Sequence, residues 1–333
     1  MEMTGYRAVR EGVGVIERAD LAHLRLFGRD PVKMLQGLVT NDLAGTPPNR
    51  AVYAAVLTPK GRMVADVRAV KRLAPGGTEV WLDLPAGALA GLGEHLKKFV
   101  PPMFAGWEDL SERVGMLGVY GPRAPAALEP VLDLPVPDLP EDGLFQAVYQ
   151  GHPVLAVRTL YTGQPGGYDL RGEPERLESL RAELVAAGAR PAGPDALETL
   201  RIEAGRPRYG VDLTGETILA EAFQSSGLME RAVSFSKGCY TGQEVVVRIA
   251  HRGHVNRHLR GFLLGERPAP APGTPLTHPA TGKQAGWTTS TASSPALGQT
   301  IALGYLRREL GPGDEVLLYE EPVKVAELPF PRP

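Results

Sequence analysis

Apolar and polar residues alternate along LAHLRLF at 21 to 27, a period of two that predicts a half-buried strand, and Gly28 ends it. Asp30 then stands where a helix N-cap is expected and Pro31 where a first helical residue tolerates proline. DPVKMLQGLV therefore predicts a short helix running into Thr40, Asn41 and Asp42, whose residue types suit a helix-ending turn. AVYAAVLT at 51 to 58 and MVADVRAV at 63 to 70 flank the turn Pro59-Lys60-Gly61-Arg62 and predict a hairpin. A third strand, TEVWLDL, ends at Pro85. A helix follows to about Phe99, with Leu92, Leu96 and Phe99 on one face.

The middle of the chain repeats this texture. VGMLGVYG reads as a strand, a proline-bounded helix lies near 125, and LFQAVYQ and PVLAVRTL read as strands. Leu177, Leu180 and Leu184 mark an amphipathic helix opened by Pro174, and PDALETLRIEAG at 194 to 205 is a further helix that delivers Glu203 near its end. Several connections are too short for parallel crossovers, so the fold class is α+β rather than one parallel sheet. After about Asn256 the pattern changes to short strands between Gly/Pro turns: HLRGFLL, QAGWTTST, TIALGYLR, EVLLYEE and VKVAEL. This predicts a small all-β barrel or sandwich at the C-terminus.

A chain of 333 residues is long enough for two or three domains with a substantial core. The 36 Lys plus Arg nearly balance the 38 Asp plus Glu, a formal charge of −2 that gives no overall reason to expect nucleic-acid or membrane binding. No apolar run reaches the length of a membrane span, and MEMTGYRAVREGV at the start lacks the apolar core of a secretory signal, so the expected location is the cytoplasm. The single cysteine excludes an intrachain disulfide. It equally excludes a four-thiolate iron-sulfur cluster held by this chain alone.

That cysteine lies in KGCYTGQE at 237 to 244. Lys237 supplies a cation next to Cys239, Gly238 and Gly242 free the backbone on both sides, and Gln243 and Glu244 add polar groups where the chain is expected to turn strand-like. A thiolate is favoured beside a cation and in a turn that points N–H groups at it, which makes Cys239 and Lys237 a candidate catalytic pair. The plain alternative for an isolated cysteine is a small buried apolar filler. The octapeptide resembles the signature Lys-Gly-Cys-Phe/Tyr-x-Gly-Gln-Glu of the YgfZ-type folate-binding proteins of iron-sulfur cluster assembly and repair. That family is related to the aminomethyltransferase, or T-protein, of the glycine cleavage system.

Further local similarities run from about residue 21 onward. LRIEAGRPRYGVD resembles the T-protein pattern Leu-Arg-x-Glu-Ala-Gly-x-x-x-Tyr-Gly-x-Asp through Leu200, Arg201, Glu203, Ala204, Gly205, Tyr209, Gly210 and Asp212. In T-proteins the glutamate holds the pterin ring, so the resemblance implies that role for Glu203. A carboxylate can accept the paired N–H groups of a pterin edge; the bland reading is a solvated helix residue. Tyr161-Thr162-Gly163-Gln164 resembles the family's Tyr-Thr-Gly-Glu with Gln164 in place of the acid, and Tyr161 either stacks on an aromatic ligand or caps the core. GRMVAD at 61 to 66 resembles Gly-Gly-x-x-Asp-Asp, with Ala65 in place of the first acid and Asp66 retained. Halving that pair bears on aminomethyl transfer, which needs an acid near the folate nitrogen. Asp66 either borders the pocket or faces outward.

RIAHRGHVNRH at 248 to 258 sets His251, His254 and His258 among Arg248, Arg252 and Arg257. The histidine spacings share a face only in a helix, and EVVVRIA before them is β-branched; the arginines repel a cation. Anion binding through Arg248 and its neighbours fits better than a metal site, the anion being a folate glutamate tail, a phosphate or an acidic partner surface. A solvated basic strand and turn is the plain reading.

The resemblance implies a three-domain T-protein-like ring: residues 1–48 with 115–225, residues 49–114 with 226–255, and a barrel over 256–333. It implies tetrahydrofolate as the cofactor with Glu203 on the pterin, an accessory role in assembling or repairing iron-sulfur enzymes with Cys239 at or near the pocket, and iron-sulfur client proteins or assembly machinery as partners. Tyr161, Asp66 and, from the basic stretch, Arg248 are the further candidate folate-binding residues. The rival reading is a folate-dependent aminomethyltransferase or demethylase. A third is a folate-binding module that docks a partner through 248 to 258.

Overall fold

The computed structural model describes residues 3–331. Three sheets organise them. An antiparallel five-stranded sheet runs in the order Val52–Leu57, Met63–Ala74, Gly77–Pro85, Leu21–Phe27, Gly106–Asp109. A six-stranded sheet runs Arg190–Pro191, Gly14–Glu17, Gly115–Tyr120, Tyr168–Gly172, His152–Arg158, Leu144–Tyr149, with only its first pair parallel. The strands between Arg257 and Ala326 close into a barrel of six. The α+β class and the C-terminal barrel therefore stand as expected. The strand Leu21–Phe27, grouped by sequence with residues 1–48, pairs within the five-stranded sheet.

Each sheet buries one face under helices at the periodicity the sequence carries. Leu92 and Leu96 of helix Leu89–Phe99 close the core of the five-stranded sheet. Leu128 and Leu132 of helix Ala124–Leu132, with Leu177, Leu180 and Leu184 of helix Pro174–Ala186, cover the six-stranded one. A further core joins the Val52–Ala74 hairpin to the barrel through Leu57, Met63, Phe223, Leu259, Ile301 and Tyr305. None of the described helices is long and apolar enough to cross a membrane.

Two local expectations change. The helix after Asp30 is only Pro31–Gln36, and the Asp30 side chain makes no cap bond. Residues 243 to 252, read as strand-like from their β-branched run, form helix Gln243–Arg252. Val246 enters the core joined to the barrel, and Val245 packs toward Gly61, so tertiary contacts on one helical face outweigh intrinsic propensity.

The two sheets meet through a buried ionic lattice. Arg68 of the five-stranded sheet bonds Asp83 on its own sheet at 3.2 Å and Asp169 on the other at 2.6 Å. Arg171 returns across the seam to Asp83 at 2.9 Å, and His23 reaches the same Asp83 oxygen at 2.9 Å. Arg18 donates to Tyr120 Oη at 2.8 Å and lies 3.6 Å from Asp169. Burial alone would raise the Asp83 pKa, but Arg171, the His23 hydrogen bond and Arg68 together hold it far below the usual carboxylate range. A depressed folded pKa contributes stability that is complete above the unfolded value of about 3.9 and is lost as pH falls from there toward the folded value. Asp83→Ala should lower unfolding free energy by about 3 to 5 kcal/mol, read from the denaturant midpoint, because it strips Arg171 of its carboxylate partner.

Candidate functional site

Above this lattice lies a cavity of about 390 Å³, large enough for a small ligand. Its walls include Tyr53, Asp66, Tyr161, Arg206, Tyr209 and Arg231, and Arg18, Arg68, Asp83 and Asp169 of the lattice also border it. Asp66 reaches it because strand alternation in Met63–Ala74 turns Ala65 into the hydrophobic core and Asp66 to the opposite face. Oδ2 of Asp66 accepts a hydrogen bond from Tyr53 Oη at 3.0 Å. Oδ1 is buried and has no hydrogen-bond partner. Burial raises the Asp66 pKa, opposed by the Tyr53 bond. A free buried acceptor of this kind suits a ligand that presents N–H groups.

Aromatic rings line the same cavity. The Arg231 guanidinium lies 4.4 Å from the centroid of the Tyr53 ring and is anchored by Asp142 at 2.6 Å. Arg18 lies 4.7 Å from the Tyr161 ring, whose phenol burial pushes up to about 12. The arrangement can hold a flat polar heterocycle on aromatic walls, with an acid buried at one edge.

Glu203 lines a neighbouring cavity of about 350 Å³, and Arg206 borders both. Its carboxylate is already held: Tyr6 Oη and Ser294 Oγ each donate to Oε1 at 2.6 Å, and Arg10 donates to Oε2 at 3.1 Å. Burial, then the Glu203 contact, raises the Tyr6 pKa. Gln164 lines this second cavity too, while Tyr161 lines the first. The structure thus brings Asp66 and Tyr161 together and sets Glu203 next door. Other residues of the same segment tie it down. Arg201, fully buried, donates to Asp212 at 2.8 Å and to Ser290 of the barrel at 2.6 Å, so Arg201 and Asp212 clip the segment to barrel strand Gln284–Ser294.

Lys237 is bound to backbone carbonyls. Its ammonium donates to the carbonyls of Gln36 and Val39 at 2.6 Å and of Asn41 at 2.9 Å, which uses all three of its N–H groups. It closes the C-terminal end of helix Pro31–Gln36, and burial draws its pKa down to about 8. Cys239 is exposed, not a buried filler, and borders neither cavity. Gly242 does need to be glycine: its φ is +86° and a Cβ would stand 2.7 Å from Thr58 O. Gly238 has open space around it.

The basic stretch divides. Arg248 is exposed on helix Gln243–Arg252 and lines neither cavity. His251 stacks edge-on to Phe235, His254 lies in the connection, and His258 sits in the barrel strand Arg257–Gly265. Among the described residues no group of three or more His, Cys, Asp or Glu is placed to hold a metal ion. Arg257 is taken up by Glu221 at 2.9 Å and by the rings of Trp287 and Tyr305.

Sequence reasoning passed over Tyr53, Arg206, Arg231 and the N-terminal pair Tyr6 and Arg10. Tyr53 was within reach. In the predicted hairpin Asp66 pairs with Ala55, which puts Tyr53 diagonally beside Asp66 on the same face. Tyr6 and Arg10 come from helix Met3–Glu11, almost 200 residues from Glu203, and no local pattern joins them. Lys237→Ala leaves buried carbonyls unpaired and should destabilise the protein by about 1 to 3 kcal/mol in denaturant unfolding.

Comparison with known proteins sets this geometry in a family. The GCVT N-terminal domain matches residues 3–237, and the glycine cleavage T-protein C-terminal barrel domain matches residues 257–330. The aminomethyltransferase of Rubrobacter xylanophilus is 31% identical over 98% of this chain and 84% of its own length. An aminomethyltransferase of Thermus thermophilus is 31% identical over 97% of this chain and 88% of its own. The crystal structure of glycine cleavage system aminomethyltransferase T from Bartonella henselae shares the fold, with a TM-score of 0.83 at 21% identity over 98% of this chain and 87% of that one. With both domains matched in order, the chain belongs to the glycine cleavage T-protein family.

Proposed function

We propose that the chain binds tetrahydrofolate in the cavity of about 390 Å³ and acts on a one-carbon unit there. The unpartnered Oδ1 of Asp66 carries this reading: it is a buried acceptor of a residue lining a cavity that Tyr53, Tyr161 and Tyr209 also line, and a reduced pterin presents N–H donors on a flat ring. Relatives named aminomethyltransferase support transfer chemistry. The bound folate would supply the nitrogen that accepts or releases the one-carbon unit. Asp66, its pKa raised by burial, is suited to hold a proton at that edge, while Tyr53 fixes its other oxygen. Ala65 lies in the sheet core, so an acid missing at that position does not remove a group from the cavity wall.

A second reading is favoured by Cys239, exposed within KGCYTGQE: a YgfZ-like accessory role in maintaining iron-sulfur enzymes, with folate bound in the same cavity. The thiol would then meet a client protein at the surface.

Calorimetric titration with tetrahydrofolate tests the folate site. Asp66→Ala should weaken binding by about 1.5 to 3 kcal/mol, the range for a hydrogen bond to a charged group, and Glu203→Ala by less. The opposite ranking would move the pterin to the second cavity, and no binding by the wild type would sink the proposal. Affinity should fall with decreasing pH at values above those at which an exposed aspartate protonates, because burial raises the Asp66 pKa. The two roles separate on Cys239→Ser. Transferase chemistry predicts retained one-carbon transfer to tetrahydrofolate, whereas the accessory role predicts lost rescue of iron-sulfur enzyme activity in a deletion strain.

A further inference from the structure

Farther along the seam between the two sheets lies a smaller cavity of about 260 Å³ that the folate reading does not use. Arg68 and Arg72 face the same way on strand Met63–Ala74, four residues and roughly 13 Å apart at strand rise, which carries the seam from the ionic lattice to this cavity. Arg72, Arg113 and Arg171 line it, with Trp81, Gln146 and Glu173. Trp81 is flanked by two guanidiniums, Arg72 at 4.5 Å and Arg171 at 4.9 Å from its ring centroid.

The charges here are unbalanced. Arg171 is 4% exposed and spends Nη1 on Asp83, while its Nη2 is buried with no hydrogen-bond partner. Among the described residues Arg72 forms no salt bridge, its guanidinium resting on Trp81. Arg113 shares Glu108 with Arg25. The one carboxylate on the wall, Glu173, is paired with His152 at 3.0 Å. A buried guanidinium donor left unpaired is costly, and converging arginines are the usual recognition element for carboxylate and phosphate oxygens.

We propose that this cavity is a binding site for a small oxyanion, a carboxylate or phosphate group, received by Arg171 Nη2 with Arg72 and Arg113 completing the clamp. Burial and the neighbouring Arg68 and Arg72 charges act to lower the Arg171 pKa, against the pull of Asp83, so an anion would relieve a strain that Asp83 alone does not. Such an anion would join the two sheets at a second place along their seam.

Isothermal titration of the full chain in chloride buffer of constant ionic strength, with inorganic phosphate in one arm and succinate in the other, tests the site. Saturable binding of either probe is expected, and the arm that binds identifies the group. Arg72→Gln, which leaves the Arg171–Asp83 contact in place, should weaken that binding tenfold or more while its denaturant midpoint stays near wild type. Arg113→Gln, on the exposed rim, should weaken it less. Absence of saturable binding in both arms, or equal affinity in wild type and folded Arg72→Gln, overturns the proposal.

Discussion

Two sheets of this protein share a small apolar cluster of Ala51, Val70, Leu144 and Val157, and beside it they are joined through charge. Asp83 and Asp169 each sit where arginines from both sheets converge, and all of these groups are withdrawn from water. Ions so placed are tolerable only while every partner is present, because each desolvated charge relies on its neighbours for the solvation it has lost. The lattice therefore fixes how the sheets lie against each other with directional bonds. It also forms the floor of the larger cavity, so the same contacts that set the seam set the shape and polarity of the candidate site.

Strands, hairpins and amphipathic helices were legible because their signals are local. LAHLRLF was legible as a strand, though His23 on its polar side is buried in the lattice and not solvated, while the 51 to 70 hairpin and the Leu177–Leu180–Leu184 face read correctly from spacing alone. The helix at 243 to 252 did not, since its three consecutive valines favour a strand until Val246 is given a core to enter. The lattice was invisible for a related reason. Arg68, Asp83, Asp169 and Arg171 are scattered over about a hundred residues, and each alone looks like an ordinary strand charge.

The candidate site was half legible. Asp66 and Tyr161 were identified and do share a cavity, while Glu203 belongs to an adjoining one and Arg248 to the outer face of a helix. Residue type and motif suggested what each group could do; only the fold decides what it faces. Lys237 is the clearest instance. Next to a cysteine in sequence it reads as an activator, but its three protons are spoken for by backbone carbonyls from residues 36 to 41.

That anchoring has a consequence for how Cys239 can act. The loop is moored two residues before the sulfur by Lys237 and held three residues after it by Gly242, whose close approach to Thr58 leaves little slack. Carrying the whole loop inward toward the cavity of about 390 Å³ would mean taking the Lys237 ammonium off three carbonyls. So tethered, the sulfur stands on the protein's exterior, where whatever meets it arrives from solvent.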